Sequence, residues 1–90
     1  MLEGSITVVN PLGLHARAAA QLVRFAGKFR SRVILRREDT GAFANAKSIL
    51  SVLALAASVG TILKIEAEGE DEQDAFDALT AMFADGFGEM

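Results

Sequence analysis

The stretch Leu14-His15-Ala16-Arg17 places a nucleophile and a cation where a helix is predicted to begin. It follows Gly13, and helical spacing of apolar residues starts at about Ala16. The first turn of a helix presents N–H groups without intrahelical acceptors and the positive end of the helix dipole. Such a position favours the neutral, nucleophilic form of the His15 imidazole.

The same helix start is suited to binding an anion. A phosphoryl group on His15 would meet the Ala16 backbone N–H and the Arg17 guanidinium. The sequence shows no accompanying general base, metal cluster or substrate cavity, so the predicted chemistry is acceptance and transfer of a phosphoryl group. On spacing alone, an ordinary capping or surface histidine remains the alternative.

The elements that must position these residues follow the order β-α-β-β-α-β-α. Between 61 and 68, apolar Leu63, Ile65 and Ala67 alternate with charged Lys64, Glu66 and Glu68, which is typical of a strand with one solvated face. Asp71 is predicted to cap the last helix, with Asp74 completing a weak capping box. The pattern favours an antiparallel, two-layer α+β fold with helices on one face of the sheet. Predicted strands cover 5–9, 32–36, 42–45 and 61–68, and helices begin near 16, 47 and 71 and end near Gly27, Leu53 and Gly86.

Length and composition limit the remaining functions. The 90 residues form one predicted domain, 1–90, and contain no Cys and a single His, which excludes disulfide scaffolds and cysteine or multi-histidine metal sites. We therefore expect no metal and no cofactor. The most apolar segment, 49–59, contains two serines and is about half of the ~20 residues that a membrane span needs. We expect a cytoplasmic protein without membrane insertion.

Charge is distributed unevenly along the chain. Seven cations and no acid lie in 15–37, whereas nine acids and no cation lie in 66–89. This asymmetry suggests a basic face for a phosphate or an acidic partner, with two ordinary solvated faces as the alternative. A nucleic-acid-binding module without phosphorylation is a competing hypothesis. The sequence pI near 5.0 and the lack of Trp and Tyr argue against nucleic acid.

Three motifs occur in order along the chain: Gly13-Leu14-His15-Ala16-Arg17, Lys47-Ser48-Ile49 and the segment 65–73. Together they resemble the HPr family, the phosphocarriers of the bacterial phosphotransferase system. The resemblance implies a monomeric open-faced β-sandwich, in which three helices cover one face of a four-stranded antiparallel sheet. It also implies that His15 accepts a phosphoryl group on Nδ1 from enzyme I and passes it to a histidine of an enzyme IIA in sugar uptake.

The chain departs from the family pattern at two places. Ala18 stands where the family often has Pro, and the family commonly has a Gly near Ala56, so we expect a difference in the loop after the second helix. Neither residue is among the predicted phosphate ligands. The segment 83–89 is aromatic, Gly-rich and acidic, which also resembles carriers of the nitrogen-related phosphotransferase branch.

Ser48 is predicted to cap the second helix, and the resemblance implies that an ATP-dependent HPr kinase/phosphorylase phosphorylates it. The second helix is too short to bury all its apolar side chains. Some should therefore form an apolar docking patch near His15 with a basic rim. The predicted docking residues are Arg24, Lys47, Ile49, Leu50 and Leu53.

Overall fold

The computed structural model describes residues 1–89 and confirms the predicted order of elements. They are β1 (Leu2–Thr7), α1 (Ala16–Ala26), β2 (Arg32–Arg37), β3 (Phe43–Asn45), α2 (Ile49–Ala54), β4 (Ile62–Glu68) and α3 (Glu72–Ala84). A 3-10 turn, Gly86–Gly88, follows α3. The first strand begins earlier than predicted because Leu2 and Glu3 pair with the end of β4.

The four strands form one antiparallel sheet in the order β1-β4-β2-β3. Its inner face is apolar: Leu35 of β2 lies opposite Ile65 of β4, and both are fully buried. Its outer face is charged, with Arg36 paired to Glu66 at 3.2 Å. The alternation therefore fixes which face the helices cover, as an open-faced sandwich requires.

The helices cover the inner face through side chains of different sizes. From α1, Ala18, Ala19, Leu22 and Ala26 are buried. Ala18 thus fills the position where the family often has Pro, and its small side chain allows close packing. From α3, Leu79 and Phe83 supply larger buried groups. Gly27 ends α1 with φ −65°, so the predicted stop does not use the left-handed conformation.

Asp71 occupies the predicted N-cap position of α3, but its side chain does not cap the helix. Its carboxylate accepts hydrogen bonds from the Arg30 N–H at 2.9 Å, the Ser31 N–H at 2.8 Å and the Ser31 hydroxyl. The predicted capping box with Asp74 is wrong, because the Asp71 carboxylate makes no cap hydrogen bond. Glu72, in the same turn, accepts from the Gly69 N–H at 3.2 Å. Asp71 therefore ties α3 to the segment between α1 and β2.

These donors, first the Ser31 hydroxyl and then the Arg30 amide, lower the pKa of Asp71 to about 2. An ordinary Asp titrates near 3.8. Because the folded-state pKa is the lower one, the contribution to stability is complete above about 4 and is lost as the pH falls through about 2.

We predict that Asp71→Asn lowers the stability at pH 7 and that the difference from the wild type narrows between pH 4 and pH 2. Urea unfolding across this pH range measures it. Asp74→Asn, in the same helical turn, is the control, and its free energy of unfolding should differ little from that of the wild type at every pH. A difference between Asp71→Asn and the wild type that stays constant down to pH 2 would contradict the assignment.

Candidate functional site

His15 is the N-cap residue of α1, with extended backbone angles of φ −74° and ψ 179°. Its carbonyl accepts the Ala19 N–H at 2.8 Å, which is the first hydrogen bond of the helix. The N–H groups of Ala16, Arg17 and Ala18 therefore have no intrahelical acceptor. The His15 side chain makes no capping bond and is 26% exposed, so an incoming group can reach it.

The turn before His15 fits closely against the loop between α2 and β4. Gly13 has φ +65°, and a Cβ there would lie 2.6 Å from the Ala57 carbonyl oxygen and 2.8 Å from the Ser58 Cα. The next residue, Leu14, donates its N–H to the same Ala57 carbonyl at 2.8 Å. Glycine is therefore required both for the backbone conformation and for the close approach.

Arg17 lies exposed in the first turn of α1, and Ala16 is exposed beside it. The three residues predicted to accept and hold a phosphoryl group are consecutive at the start of α1, and all three are at least partly exposed. Free N–H groups at the positive end of α1, with Arg17 in the same turn as an accessible imidazole, are the groups that an anion attached to His15 would need.

Glu89 is a further member of this site that the sequence did not reveal. Its Oε2 contacts the Nε2 of His15, and its Oε1 accepts from the Asn10 Nδ2 at 3.2 Å. The hydrogen bond from His15 lowers the pKa of Glu89 most, and Asn10 and the nearby Arg17 charge act in the same direction. Within residues 1–89, the hydrogen bonds of the His15 ring involve Nε2 alone.

The segment after α3 carries Glu89 to His15. Gly86, predicted to end the helix, begins the 3-10 turn, and Phe87 follows with φ +56°. The Phe87 ring is buried and packs edge-on against Phe83 with centroids 4.9 Å apart. The acidic residue after this aromatic anchor was the available sequence signal, but nothing in the spacing connected it to His15.

Ser48 is the N-cap of α2, and its Oγ accepts the Ser51 N–H at 3.4 Å. This confirms the predicted cap. The side chain is half-buried, and the following residues Ile49 and Leu50 are exposed. A group added to Ser48 would therefore lie beside exposed apolar surface.

The predicted docking residues are distributed unevenly between solvent and protein. Leu50 is 77% exposed, Ile49 and Leu53 are partly exposed, and Arg24 is exposed. Lys47 differs, because it is half-buried and its ammonium donates to the Phe29 carbonyl at 2.7 Å. Leu12, in the turn before His15, is 67% exposed and adds an apolar side chain that the sequence did not reveal.

Ala56, near which the family commonly has a Gly, has φ +53°. The Arg37 guanidinium donates to the Leu55 and Ala56 carbonyls, each at 3.1 Å. These bonds satisfy carbonyl groups at the end of α2. The loop after α2 thus keeps a left-handed residue although the glycine is absent.

The described part of the chain has neither a metal-ligand cluster nor a membrane-spanning helix. In residues 1–89, no three His, Cys, Asp or Glu residues are grouped to hold a metal ion. No helix there combines the length and apolarity needed to cross a membrane. An open groove of about 520 Å³ between α1 and α3 is lined by Phe25, Met82 and Phe87 and does not include His15.

The chain is similar to known proteins over nearly its whole length. The family model described as "PTS HPr component phosphorylation site" matches residues 2–85. Phosphocarrier protein HPr of Cupriavidus necator is 48% identical over 89 residues, which are 99% of this chain and 98% of that protein.

Solved structures give the same result. HPr-C-His from Thermoanaerobacter tengcongensis superposes with a TM-score of 0.92 at 40% identity, covering 100% of this chain and 99% of that one. A structure described as an HPr dimer from the same organism has a TM-score of 0.77 at 40% identity, covering 99% of this chain and 100% of that one. The extent of these matches shows that the chain belongs to the HPr family of phosphocarriers of the phosphotransferase system.

Proposed function

We propose that this chain accepts a phosphoryl group on Nδ1 of His15 from phosphorylated enzyme I and passes it to a histidine of an enzyme IIA in sugar uptake. The observation that carries the proposal is the place of His15 at the start of α1, with Nε2 held by Glu89. This contact leaves Nδ1 as the nitrogen with a lone pair for attack. Membership of the family supports the same direction of transfer.

The proposed step needs no proton transfer at Nδ1. Its lone pair forms a bond to the phosphorus as the bond to the enzyme I residue breaks and that residue leaves with the electron pair. In phosphoryl transfer, positioning and charge stabilisation supply most of the rate increase. The Ala16 N–H and the Arg17 guanidinium would stabilise the phosphoryl oxygens. In the second transfer, the enzyme IIA histidine attacks the phosphorus, and the bond between Nδ1 and phosphorus breaks with its electron pair returning to His15.

The exposed apolar side chains explain how partners would dock. Leu12 precedes His15 and Leu50 lies on α2, the helix beside α1, so both belong to the elements around the acceptor. Arg17 and Arg24 add positive charge along α1. An apolar centre with cationic neighbours suits rapid, reversible encounters with acidic partners. We propose that enzyme I and enzyme IIA use this surface in turn, with the carrier acting as a cytoplasmic monomer.

We further propose that HPr kinase/phosphorylase regulates transfer by phosphorylating Ser48. A phosphoserine carries about −1.5 to −2 charges at neutral pH. That charge would lie next to exposed Ile49 and Leu50, on a surface that meets acidic partners. Docking would weaken, whereas the fold would persist because Ser48 is not fully buried.

Ser48→Asp should lower kcat/KM for phosphorylation by enzyme I about three- to tenfold, because like charges slow encounter and weaken docking. Its far-UV circular dichroism should match the wild type. The control is Gln73→Glu, which adds one negative charge at the start of α3, whereas Glu89 and the His15 site lie beyond the end of this helix. It should leave kcat/KM for phosphorylation by enzyme I unchanged. Equal kcat/KM for Ser48→Asp and the wild type would refute this mode of regulation.

The proposed function itself is tested by incubating the chain with enzyme I, Mg²⁺ and phosphoenolpyruvate and measuring its intact mass. We expect one acid-labile phosphoryl adduct, which disappears when a sugar-specific enzyme IIA is added. Loss of the adduct only to a nitrogen-type enzyme IIA would instead assign the chain to the regulatory branch. No adduct under conditions in which the same enzyme I phosphorylates another HPr would refute the proposal.

A further inference from the structure

We propose that Glu89 is a positioning residue for phosphoryl transfer: it accepts the Nε2–H of His15, fixes the imidazole and stabilises the charge that the ring gains on phosphorylation. This inference rests on the proposed function. It assigns a role in the reaction to a side chain that lies far from His15 in sequence.

The first argument is that the Glu89 carboxylate is held from two sides. Oε2 contacts the His15 Nε2, and Oε1 accepts from the Asn10 amide at 3.2 Å. Asn10 is fully buried and also donates to the Gly13 carbonyl at 2.7 Å, which fixes its own orientation. The Glu89 side chain is 8% exposed. A carboxylate this enclosed and this well partnered is part of a built site, unlike a freely solvated surface acid.

The second argument is the backbone that delivers Glu89. Phe87 adopts φ +56°, a conformation that costs energy for a residue with a bulky side chain. It is retained because the Phe87 ring is buried against Phe83. The turn that brings Glu89 to the His15 ring therefore contains a strained residue, Phe87, which the packing of its ring stabilises.

The third argument is the chemistry of the imidazole. A neutral ring with its proton on Nε2 has its lone pair on Nδ1. When Nδ1 forms the bond to phosphorus, the Nε2 proton stays and the ring becomes positively charged. A carboxylate on that N–H stabilises the charge, as a buried acid does for other catalytic imidazoles. When the phosphoryl group leaves, the electron pair returns to Nδ1 and the ring is neutral again.

The carboxylate of Glu89 and the guanidinium of Arg17 are charged groups near the His15 ring. Arg17 lies close enough to contribute to the lowered pKa of Glu89, so a guanidinium faces this carboxylate in addition to the His15 N–H. The Glu89 charge is therefore partly balanced and need not repel the phosphoryl group. Arg17 would hold the oxygens of that group while Glu89 holds the opposite side of the ring.

The test compares Glu89→Ala, Glu89→Gln and Asp85→Asn with the wild type. Asp85 is an exposed acid on the same segment and makes no side-chain hydrogen bond within residues 1–89, so it is the matched control. With enzyme I as donor, Glu89→Ala should lower kcat about tenfold with little change in KM. Glu89→Gln retains an acceptor for Nε2–H without the charge, so its kcat should lie between those of Glu89→Ala and the wild type. The kcat of Asp85→Asn should equal that of the wild type.

A second readout is independent of turnover. The Nε2–H proton of His15 should be visible by NMR in the wild type, because its hydrogen bond slows exchange with water, and should vanish in Glu89→Ala. Equal kcat for Glu89→Ala and Asp85→Asn, or no Nε2–H signal in the wild type, would overturn the inference. If enzyme I fails to phosphorylate the wild type, the proposed function itself fails, and this result is distinct from a defect confined to the variants.

Discussion

The His15→Ala chain will fold like the wild type and accept no phosphoryl group from enzyme I. His15 is the only histidine, so the chain has no second imidazole to replace it. The side chain is partly exposed and makes no capping bond, and alanine can supply the same backbone carbonyl to the Ala19 N–H. We expect the free energy of unfolding to change by only about 1 kcal/mol, from the lost contact with Glu89.

Intact mass after incubation with enzyme I and phosphoenolpyruvate measures acceptance, and thermal unfolding followed by circular dichroism checks the fold. Lys28→Ala, an exposed change just beyond the other end of α1, is the control and should accept one phosphoryl group as the wild type does. An adduct that persists in His15→Ala would show that another residue is the acceptor.

Gly13→Ala, which adds a single methyl group to the turn that positions His15, should strongly lower the stability of the protein. The added Cβ would lie 2.6 Å from the Ala57 carbonyl oxygen, a backbone atom that cannot move alone, and φ +65° is unfavourable for alanine. We expect a loss of about 3 kcal/mol or more in the free energy of unfolding, from overpacking and backbone strain together. The rate of phosphoryl acceptance should fall too, because the turn can relax only by displacing the start of α1.

Gly41→Ala is the matched control. Gly41 also has positive φ, +80°, but a Cβ there would meet no atom within 4 Å. It should therefore lose only about 1 kcal/mol, the cost of the conformation itself. Urea unfolding of both variants separates the two effects. Equal losses for Gly13→Ala and Gly41→Ala would mean that close packing on Ala57 does not hold the turn.

Sequence patterns were sufficient for several features whose residues are neighbours in the chain. The alternation from Leu63 to Glu68 gave the two faces of β4, and the helical spacing after Ala16 placed His15 at the start of α1. The local Ser48 cap was predictable for the same reason. In each case the controlling interaction spans only a few residues.

The interactions that sequence did not reveal join distant segments. Asp71 had the local pattern of a helix cap, but the Arg30 and Ser31 amides compete for its carboxylate. Lys47 was predicted as a docking residue, and nothing in the sequence indicated that its ammonium donates to the Phe29 carbonyl. Glu89 contacts His15 only because the fold brings the segment after α3 to the start of α1. Pairings of this kind depend on tertiary geometry, which residue spacing does not encode.

Identifying the nitrogen of His15 that is bonded to phosphorus is the most direct test of the claim that His15 is the phosphoryl acceptor and Glu89 holds its Nε2. The chain would be labelled with ¹⁵N in its histidine ring, phosphorylated by enzyme I and followed by ¹⁵N and ³¹P NMR. Because Glu89 holds Nε2, we predict a single phosphohistidine with the phosphorus bonded to Nδ1 of His15. A phosphorus–nitrogen bond at Nε2, or phosphate on any residue other than His15, would contradict the account.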